Sequence, residues 1–123
     1  MEKQSNDKGQ LQLLENNSTE FANNTCAQIN KDLQGVSLAM VALNNIEAPT
    51  ILEHLIHQLN PILENLAEQG KLSQFIYLVD LNEREFKNSF AQQDFSELSY
   101  LVIKREAQKV YLKNKFRHYG ALG

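Results

Sequence analysis

Two histidines three residues apart, His54 and His57, are the side chains whose spacing could most directly support chemistry. On a helix their Cβ atoms would lie about 5 to 6 Å apart, close enough for both to bind one metal ion. Glu53 precedes them and Glu64 follows. The order lacks the H-E-x-x-H pattern of zinc hydrolases and the Glu-x-x-His spacing of di-iron bundles. Both histidines fall on the polar side of a predicted helix, so we interpret them as solvated and expect no metal or cofactor.

The same stretch has a short resemblance to phosphotransfer proteins. The His-Gln-Leu sequence at 57–59 resembles the start of the motif of histidine phosphotransfer domains, which are helical bundles with an exposed histidine. Asn60 and Pro61 stand where that motif continues with lysine and glycine. Phosphotransfer, or a metal site at the histidine pair, is therefore the third-ranked hypothesis.

Basic side chains are concentrated at the C-terminal end. Residues 104–123 carry six basic and one acidic side chain, whereas residues 1–103 carry six basic and 14 acidic ones. A basic helix end suits its own dipole and acidic neighbours in the same fold. Because the charges ring the helix and the rest of the chain repels a polyanion, weak nucleic-acid binding is the alternative function and not the preferred one. The basic patch would consist of Lys104, Arg105, Lys109, Lys113, Lys115 and Arg117.

Motifs of common enzyme sites do not occur in the sequence. Cys26 lies on a predicted buried stripe, which favours an inert thiol over a nucleophile. We find no phosphate-binding glycine loop or nucleophile elbow, and expect a non-enzymatic protein. With a single cysteine no internal disulfide is possible. Residues 1–10 lack the apolar core of a signal peptide, so we expect a cytoplasmic protein without a membrane span.

The composition favours helices, because only two prolines, five glycines and few β-branched residues occur in 123 residues. The expected fold is all-α, an up-down-up-down four-helix bundle with a kinked second helix and an interrupted third helix. One domain would cover 19–118. A disordered arm would precede it over 1–18, with a short helix at 11–16 as an option, and a tail would follow over 119–123.

A heptad pattern predicts a first helix from Thr19 to about Asn44. Its apolar positions recur at spacings of three and four residues, which is typical of a narrow stripe that packs against another helix. We prefer packing within the bundle, and a coiled-coil dimer contact remains the alternative. The seam consists of Ala22, Cys26, Ile29, Leu33, Val36, Met40 and Leu43.

The second predicted helix opens with a capping box at Thr50 and Glu53 and stops before Gly70. Pro61 falls in its middle. The apolar stripe keeps its phase across this proline, so one kinked helix is preferred over two separate ones. The stripe consists of Leu52, Leu55, Ile56, Leu59, Ile62, Leu63 and Leu66.

The third region is interrupted. The sequence FIYLVDL at 75–81 is interpreted as a buried helix, because a lone β-strand, the rival, would have no partner. Asn82 with Glu85, and Asp94 with Glu97, have the spacing of capping boxes. These pairs predict that helices begin just after Asn82 and Asp94.

The last predicted helix carries two apolar stripes and therefore needs two sets of neighbours. The larger stripe consists of Leu98, Leu101, Val102, Leu112 and Phe116. Its burial is worth on the order of 10 kcal/mol, so we expect it in the core. The smaller stripe has two phenols and is the predicted interface. It consists of Tyr100, Ile103, Ala107, Val110 and Tyr111. The expected function is a non-enzymatic protein-interaction or adaptor module that forms a homodimer.

Overall fold

The computed structural model describes Leu14, residues 19–46 and residues 48–122, with side chains as far as residue 115. Over these residues the chain is all-helical, as predicted, with five helices and no strand. The predicted arm and its optional short helix lie outside the described residues, apart from Leu14, which is fully buried. The helices are α1 (Thr19–Leu33), α2 (Ile51–Glu68), α3 (Leu72–Val79), α4 (Glu83–Ala91) and α5 (Phe95–Leu122).

Helix α5 contacts each of the other four helices. A helix enclosed by several neighbours buries a broad face. The buried face of α5 includes residues of both predicted stripes. Leu101 is only half-buried and Leu112 is 38% exposed, so the larger stripe is core only in part. The helix also continues to Leu122, through most of the predicted tail. The buried apolar residues of α5 are Leu98, Val102, Ile103, Ala107 and Val110.

Helix α1 ends at Leu33, so the prediction that it continues to about Asn44 is wrong. The chain turns there, because the amides of Val36 and Ser37 both donate to the Leu33 carbonyl, at 2.9 and 2.8 Å. Residues 34–46 and 48–50 then form an irregular connection. The predicted seam is buried as far as Val36, whereas Met40 is 60% exposed.

Gly35 in this turn permits the close approach of α3. A Cβ atom at Gly35 would lie only 2.5 Å from Leu78 Cδ1. The residue is also a poor helix former, which costs about 1 kcal/mol relative to alanine inside a helix. Both effects favour a turn over a continuation of α1 at this point.

Helix α2 is one helix across Pro61, as predicted. Thr50 is its N-cap, since its Oγ1 accepts a hydrogen bond from the Glu53 amide at 3.1 Å. The helix ends at Glu68, and Gly70, which has a positive φ of 72°, lets the chain turn so that the Lys71 amide donates to the Leu66 carbonyl at 2.8 Å.

The predicted interruption between α3 and α4 is confirmed. Helix α3 ends with Asp80 in the left-handed conformation, at φ 64°. Asn82 caps α4, because its Oδ1 accepts from the Arg84 and Glu85 amides at 2.9 and 3.1 Å. Asp94 caps α5 in the same way. In the described part of the chain, no helix has the length and apolarity needed to cross a bilayer.

Candidate functional site

A cluster of charged side chains lies in the core between α1 and α5. The Lys109 Nζ is 2.8 Å from Asp32 Oδ2 and 2.9 Å from Glu106 Oε1. Glu106 is fully buried and Asp32 is 8% exposed. Further along, Lys113 Nζ donates to Gln28 Oε1 at 3.4 Å. The residue numbers fall on α1 as they rise on α5, so the two helices run antiparallel. We call Asp32, Glu106 and Lys109 the charged cluster.

The protonation state of Glu106 decides the charge of this cluster. Burial raises the pKa of Glu106 to about 9, and the nearby Asp32 carboxylate also raises it, while Lys109 lowers it. The ammonium of Lys109 lies at ion-pair distance from Glu106 Oε1, but neither Glu106 oxygen makes a well-formed hydrogen bond with the described residues. The raised pKa favours the neutral form of Glu106 at neutral pH and leaves Asp32 with Lys109 as the charged pair.

The ammonium of Lys109 stays charged in this setting. Burial lowers the pKa of Lys109, but the adjacent carboxyl groups of Asp32 and Glu106 outweigh that effect and hold it above its usual value. A buried ion pair of this kind is costly to break, because either partner alone would be an uncompensated charge in the core. The arrangement is suited to holding helices together and not to proton transfer with solvent.

Basic side chains of α5 also hold the end of α3. Lys109 Nζ lies 3.3 Å from the carbonyl oxygens of Leu78 and Val79. Arg105 donates from Nε to the Asp80 carbonyl and from Nη2 to Asp80 Oδ2, both at 2.9 Å. The partial negative charge at a helix C-terminus favours cations there. These two basic side chains therefore serve contacts within the fold.

The predicted basic patch is thus divided among several contacts. Two of its six members are the residues that hold α3. Lys113 reaches α1, Lys104 is half-buried and Lys115 is exposed. The side chain of Arg117 lies outside the described residues. Three of the five described members, Arg105, Lys109 and Lys113, thus make contacts within the fold.

The five residues predicted as an interface have contrasting positions. Ile103 and Ala107 are fully buried and Val110 is 4% exposed. Tyr100 is half-buried and Tyr111 is 38% exposed. In a single copy of the chain, only the two phenols at the ends of the stripe are accessible to a partner. The sequence ranked the stripes by size alone, because both are apolar with helical spacing.

The two histidines are in different environments. His54 Nε2 lies 3.2 Å from the Ala42 carbonyl oxygen, whereas His57 is exposed. No group of three His, Cys, Asp or Glu side chains that could hold a metal ion occurs within the described residues. His54 instead contacts the irregular connection, at a site that the sequence did not indicate.

Two amide side chains hold that connection from opposite sides. Asn30 of α1 accepts from the Val41 amide at 2.8 Å and donates to the Val41 carbonyl at 2.9 Å. Gln58 of α2 accepts from the Ala42 amide at 2.9 Å and donates to the Ala42 carbonyl at 2.6 Å. Both backbone groups of one residue face the same side only where the chain is extended, and successive residues face opposite sides. We call 37–43 the strap, and Asn30 with Gln58 the amide clamp.

The strap also covers Cys26. The Cys26 Sγ donates to the Val41 carbonyl oxygen at 3.4 Å, and burial raises the pKa of the thiol. The Val41 side chain is 2% exposed, whereas Leu38 and Met40 are 99% and 60% exposed. The strap therefore inserts one apolar side chain between α1 and α2 and presents two to solvent.

An exposed aromatic surface lies on α3 and α4. Tyr77 is 82% exposed and Phe90 is 45% exposed. The rings of Phe86 and Phe90 are in contact, with centroids 5.7 Å apart. A groove of about 510 Å³ adjoins Tyr77, with Ile76 and Leu81 among its lining residues. We call Tyr77, Phe86 and Phe90 the aromatic surface.

Comparisons with protein-family models, with curated proteins and with solved structures give no significant match. The functional proposal therefore rests on three features of the chain itself. These are the charged cluster, the strap with its amide clamp, and the aromatic surface.

Proposed function

We propose that the protein is a non-enzymatic helical interaction module that associates with a second copy of itself. The aromatic surface is the observation that carries this proposal. Tyr77 leaves 82% of its surface exposed, although an aromatic side chain stabilises a structure most when it is buried. Aromatic residues are also enriched at the centres of protein interfaces. A partner that covers Tyr77 and Phe90 would gain this burial.

A second copy fits the charges around the aromatic surface. Glu83 and Lys87 lie at its edge, 3.1 Å apart, and both are largely exposed. An interface about a twofold axis places the same patch on both subunits, so the patch must be complementary to itself. Because the edge carries one charge of each sign, Lys87 of each copy can meet Glu83 of the other. This complementarity supports a homodimer.

The last helix offers a different surface for the same function. The predicted interface there retains Tyr100 and Tyr111 as its accessible members. Tyr111 is 38% exposed and Tyr100 is half-buried, against exposures of 82% and 45% for Tyr77 and Phe90. We therefore place the interface on α3 and α4.

Molar mass from light scattering tests the proposal. The wild-type chain, of 14.1 kDa, should scatter as a species of twice that mass. Tyr77→Glu should give the monomer, because it places a charge at the centre of the interface. Tyr111→Glu, the matched control on α5, should remain a dimer, with helix content checked by circular dichroism. A wild-type monomer at every concentration would exclude the proposal, and dissociation by Tyr111→Glu alone would move the interface to α5.

The remaining expectations keep their earlier ranking as proposals. Weak nucleic-acid binding through α5 is the alternative, and phosphotransfer or a metal site at His54 and His57 is the third. A cytoplasmic location and an up-down-up-down four-helix bundle with a kinked α2 are also proposed. The contacts of α5 with every other helix support a bundle. The irregular connection at 34–46 and 48–50 departs from the short turns that such a topology uses.

A further inference from the structure

We propose that the groove between α1 and α2 is a recognition site for an extended protein segment with one buried apolar side chain, and that the strap occupies it. This inference deepens the proposed interaction function and rests on it for the existence of a partner. The clamp consists of side chains alone. Among the described residues, no backbone group forms a hydrogen bond with the backbone of Val41 or Ala42. The groove thus binds the strap as a receptor binds a peptide.

The contacts define what the groove recognises. Its hydrogen bonds go to the backbone amides and carbonyls of two successive residues, which every extended peptide without proline offers. Specificity comes from one pocket, which holds the Val41 side chain, while the side chain of Ala42 is exposed. Backbone bonds that hold a peptide and pockets that select its side chains are the general mode of extended-peptide recognition. The partner chemistry is therefore a small apolar residue within an extended segment.

The strap is poised to leave the groove without loss of the helices. Val41 is its one buried side chain, and Leu43 is half-buried. The hydrogen bond at its start is local, from the Ala39 amide to Ser37 Oγ at 3.0 Å. The hydrogen bonds and ion pairs given for the charged cluster go to α1, α3 and α5, and none of them goes to the strap. Segments with few buried contacts open locally at a lower free energy than the whole domain.

Cys26 reports the opening of the strap. It is the single cysteine of the chain, is 8% exposed, and lies beneath the Val41 carbonyl. Because the strap contacts the thiol, a thiol reagent should reach Cys26 faster when the strap has moved. The labelling rate of Cys26 therefore measures the open population.

The test uses the full chain with Gln58→Ala, which removes one half of the amide clamp. We expect Cys26 to react about tenfold faster with an aromatic disulfide reagent, because two hydrogen bonds to the strap are lost. The helical circular dichroism signal should not change. The matched control is Gln74→Ala, at an exposed glutamine of α3, which should label at the wild-type rate. Asn30→Ala repeats the test from the α1 side if Gln58→Ala loses its helical signal.

A synthetic peptide of residues 36–45 then tests whether the groove binds a separate segment or only packs against its own strap. Added to Gln58→Ala at millimolar concentration, it should slow the labelling of Cys26, and the same peptide with Val41→Asp should not. Labelling that is equal in all variants would overturn the proposal, as would faster labelling that the peptide does not slow. The same holds if both clamp variants lose helix and protection together. A missing dimer in light scattering leaves these rates unaffected, so the two proposals fail separately.

Discussion

Helix α1 is held in the fold by two polar contacts that differ in how they satisfy their buried groups. Against α5, Asp32 joins the charged cluster, in which the two oxygens of Glu106 lack hydrogen-bond partners among the described residues. Against the strap, Asn30 satisfies both backbone groups of Val41 with bonds of 2.8 and 2.9 Å. A satisfied neutral contact costs little to bury, whereas a buried charge needs its partner. The charged cluster should therefore be sensitive to pH and the amide clamp should not.

Removal of the ammonium from the charged cluster should have the largest effect. In Lys109→Met, Asp32 would remain as an uncompensated buried carboxylate, and the carbonyls at the end of α3 would lose a donor. We expect the free energy of unfolding at pH 7 to fall by about 3 to 5 kcal/mol. Urea unfolding measures it. Lys115→Met, at an exposed position, should change it by less than about 0.5 kcal/mol.

If the free energy of unfolding of Lys109→Met fell by less than about 1 kcal/mol, Asp32 would become protonated or hydrated at little cost in stability. The comparison between the two contacts would then lose its basis. The double variant Asp32→Asn with Lys109→Met distinguishes these cases, because it removes both charges. It should recover part of the stability if the unpaired carboxylate is the cause.

Substitution of Glu106 should instead raise the free energy of unfolding, by an amount that depends on pH. The pKa of Glu106 is about 9 in the folded chain, against a usual value of 4.5, so folding binds a proton between these pH values. The contribution of Glu106 to stability is complete below pH 4.5 and is lost as the pH rises towards 9. Glu106→Gln should thus be more stable than the wild type by about 1 to 3 kcal/mol at pH 7, with no gain at pH 4.

Urea unfolding at pH 4, 7 and 9 tests this dependence, and groups shared by both proteins cancel in the difference between them. Glu64→Gln, at an exposed position of α2, serves as the control and should differ little from the wild type at each pH. A difference between Glu106→Gln and the wild type that stays constant from pH 4 to 9 would show that folding does not shift the pKa of Glu106.

The amide clamp should give a smaller loss that is independent of pH. Asn30→Ala leaves the Val41 amide and carbonyl without their main partner, which should cost about 1 to 3 kcal/mol. Because no ionisable side chain supplies these two bonds, and burial raises the pKa of the neighbouring Cys26 thiol, the loss should be equal at pH 5 and pH 7. The same urea series measures it. A loss that grows with pH would show that the clamp is coupled to the charged cluster.

The sequence predicted best what short-range contacts decide. Thr50, Asn82 and Asp94 cap helices as predicted, since each side chain bonds an amide two or three residues later in the chain. The spacing of residue types is sufficient for such contacts. The phase of the apolar stripe likewise predicted that α2 continues across Pro61.

Contacts between distant residues explain what the sequence did not predict. Asn30 is 11 residues from Val41, and Lys109 is 77 residues from Asp32. The heptad spacing continues beyond Leu33, but these residues do not form a helix. The chain turns at Gly35, and side chains of α1 and α2 bind the backbone of the strap. Helical spacing also could not predict that Glu106, the one acidic residue of the basic C-terminal end, is fully buried.

Thr25 offers the smallest and most selective change on the α1 side of the comparison. It lies on the same face of α1 as Gln28 and Asp32, is fully buried, and its Oγ1 has no hydrogen-bond partner among the described residues. Thr25→Val keeps the branched shape and removes the unsatisfied hydroxyl, so the free energy of unfolding should rise by about 0.5 to 1 kcal/mol. Thr19→Val, at an exposed position, should show no such gain. If Thr25→Val is instead destabilised, the hydroxyl makes a bond in solution, and the polar side of α1 is better satisfied than the Glu106 side of α5.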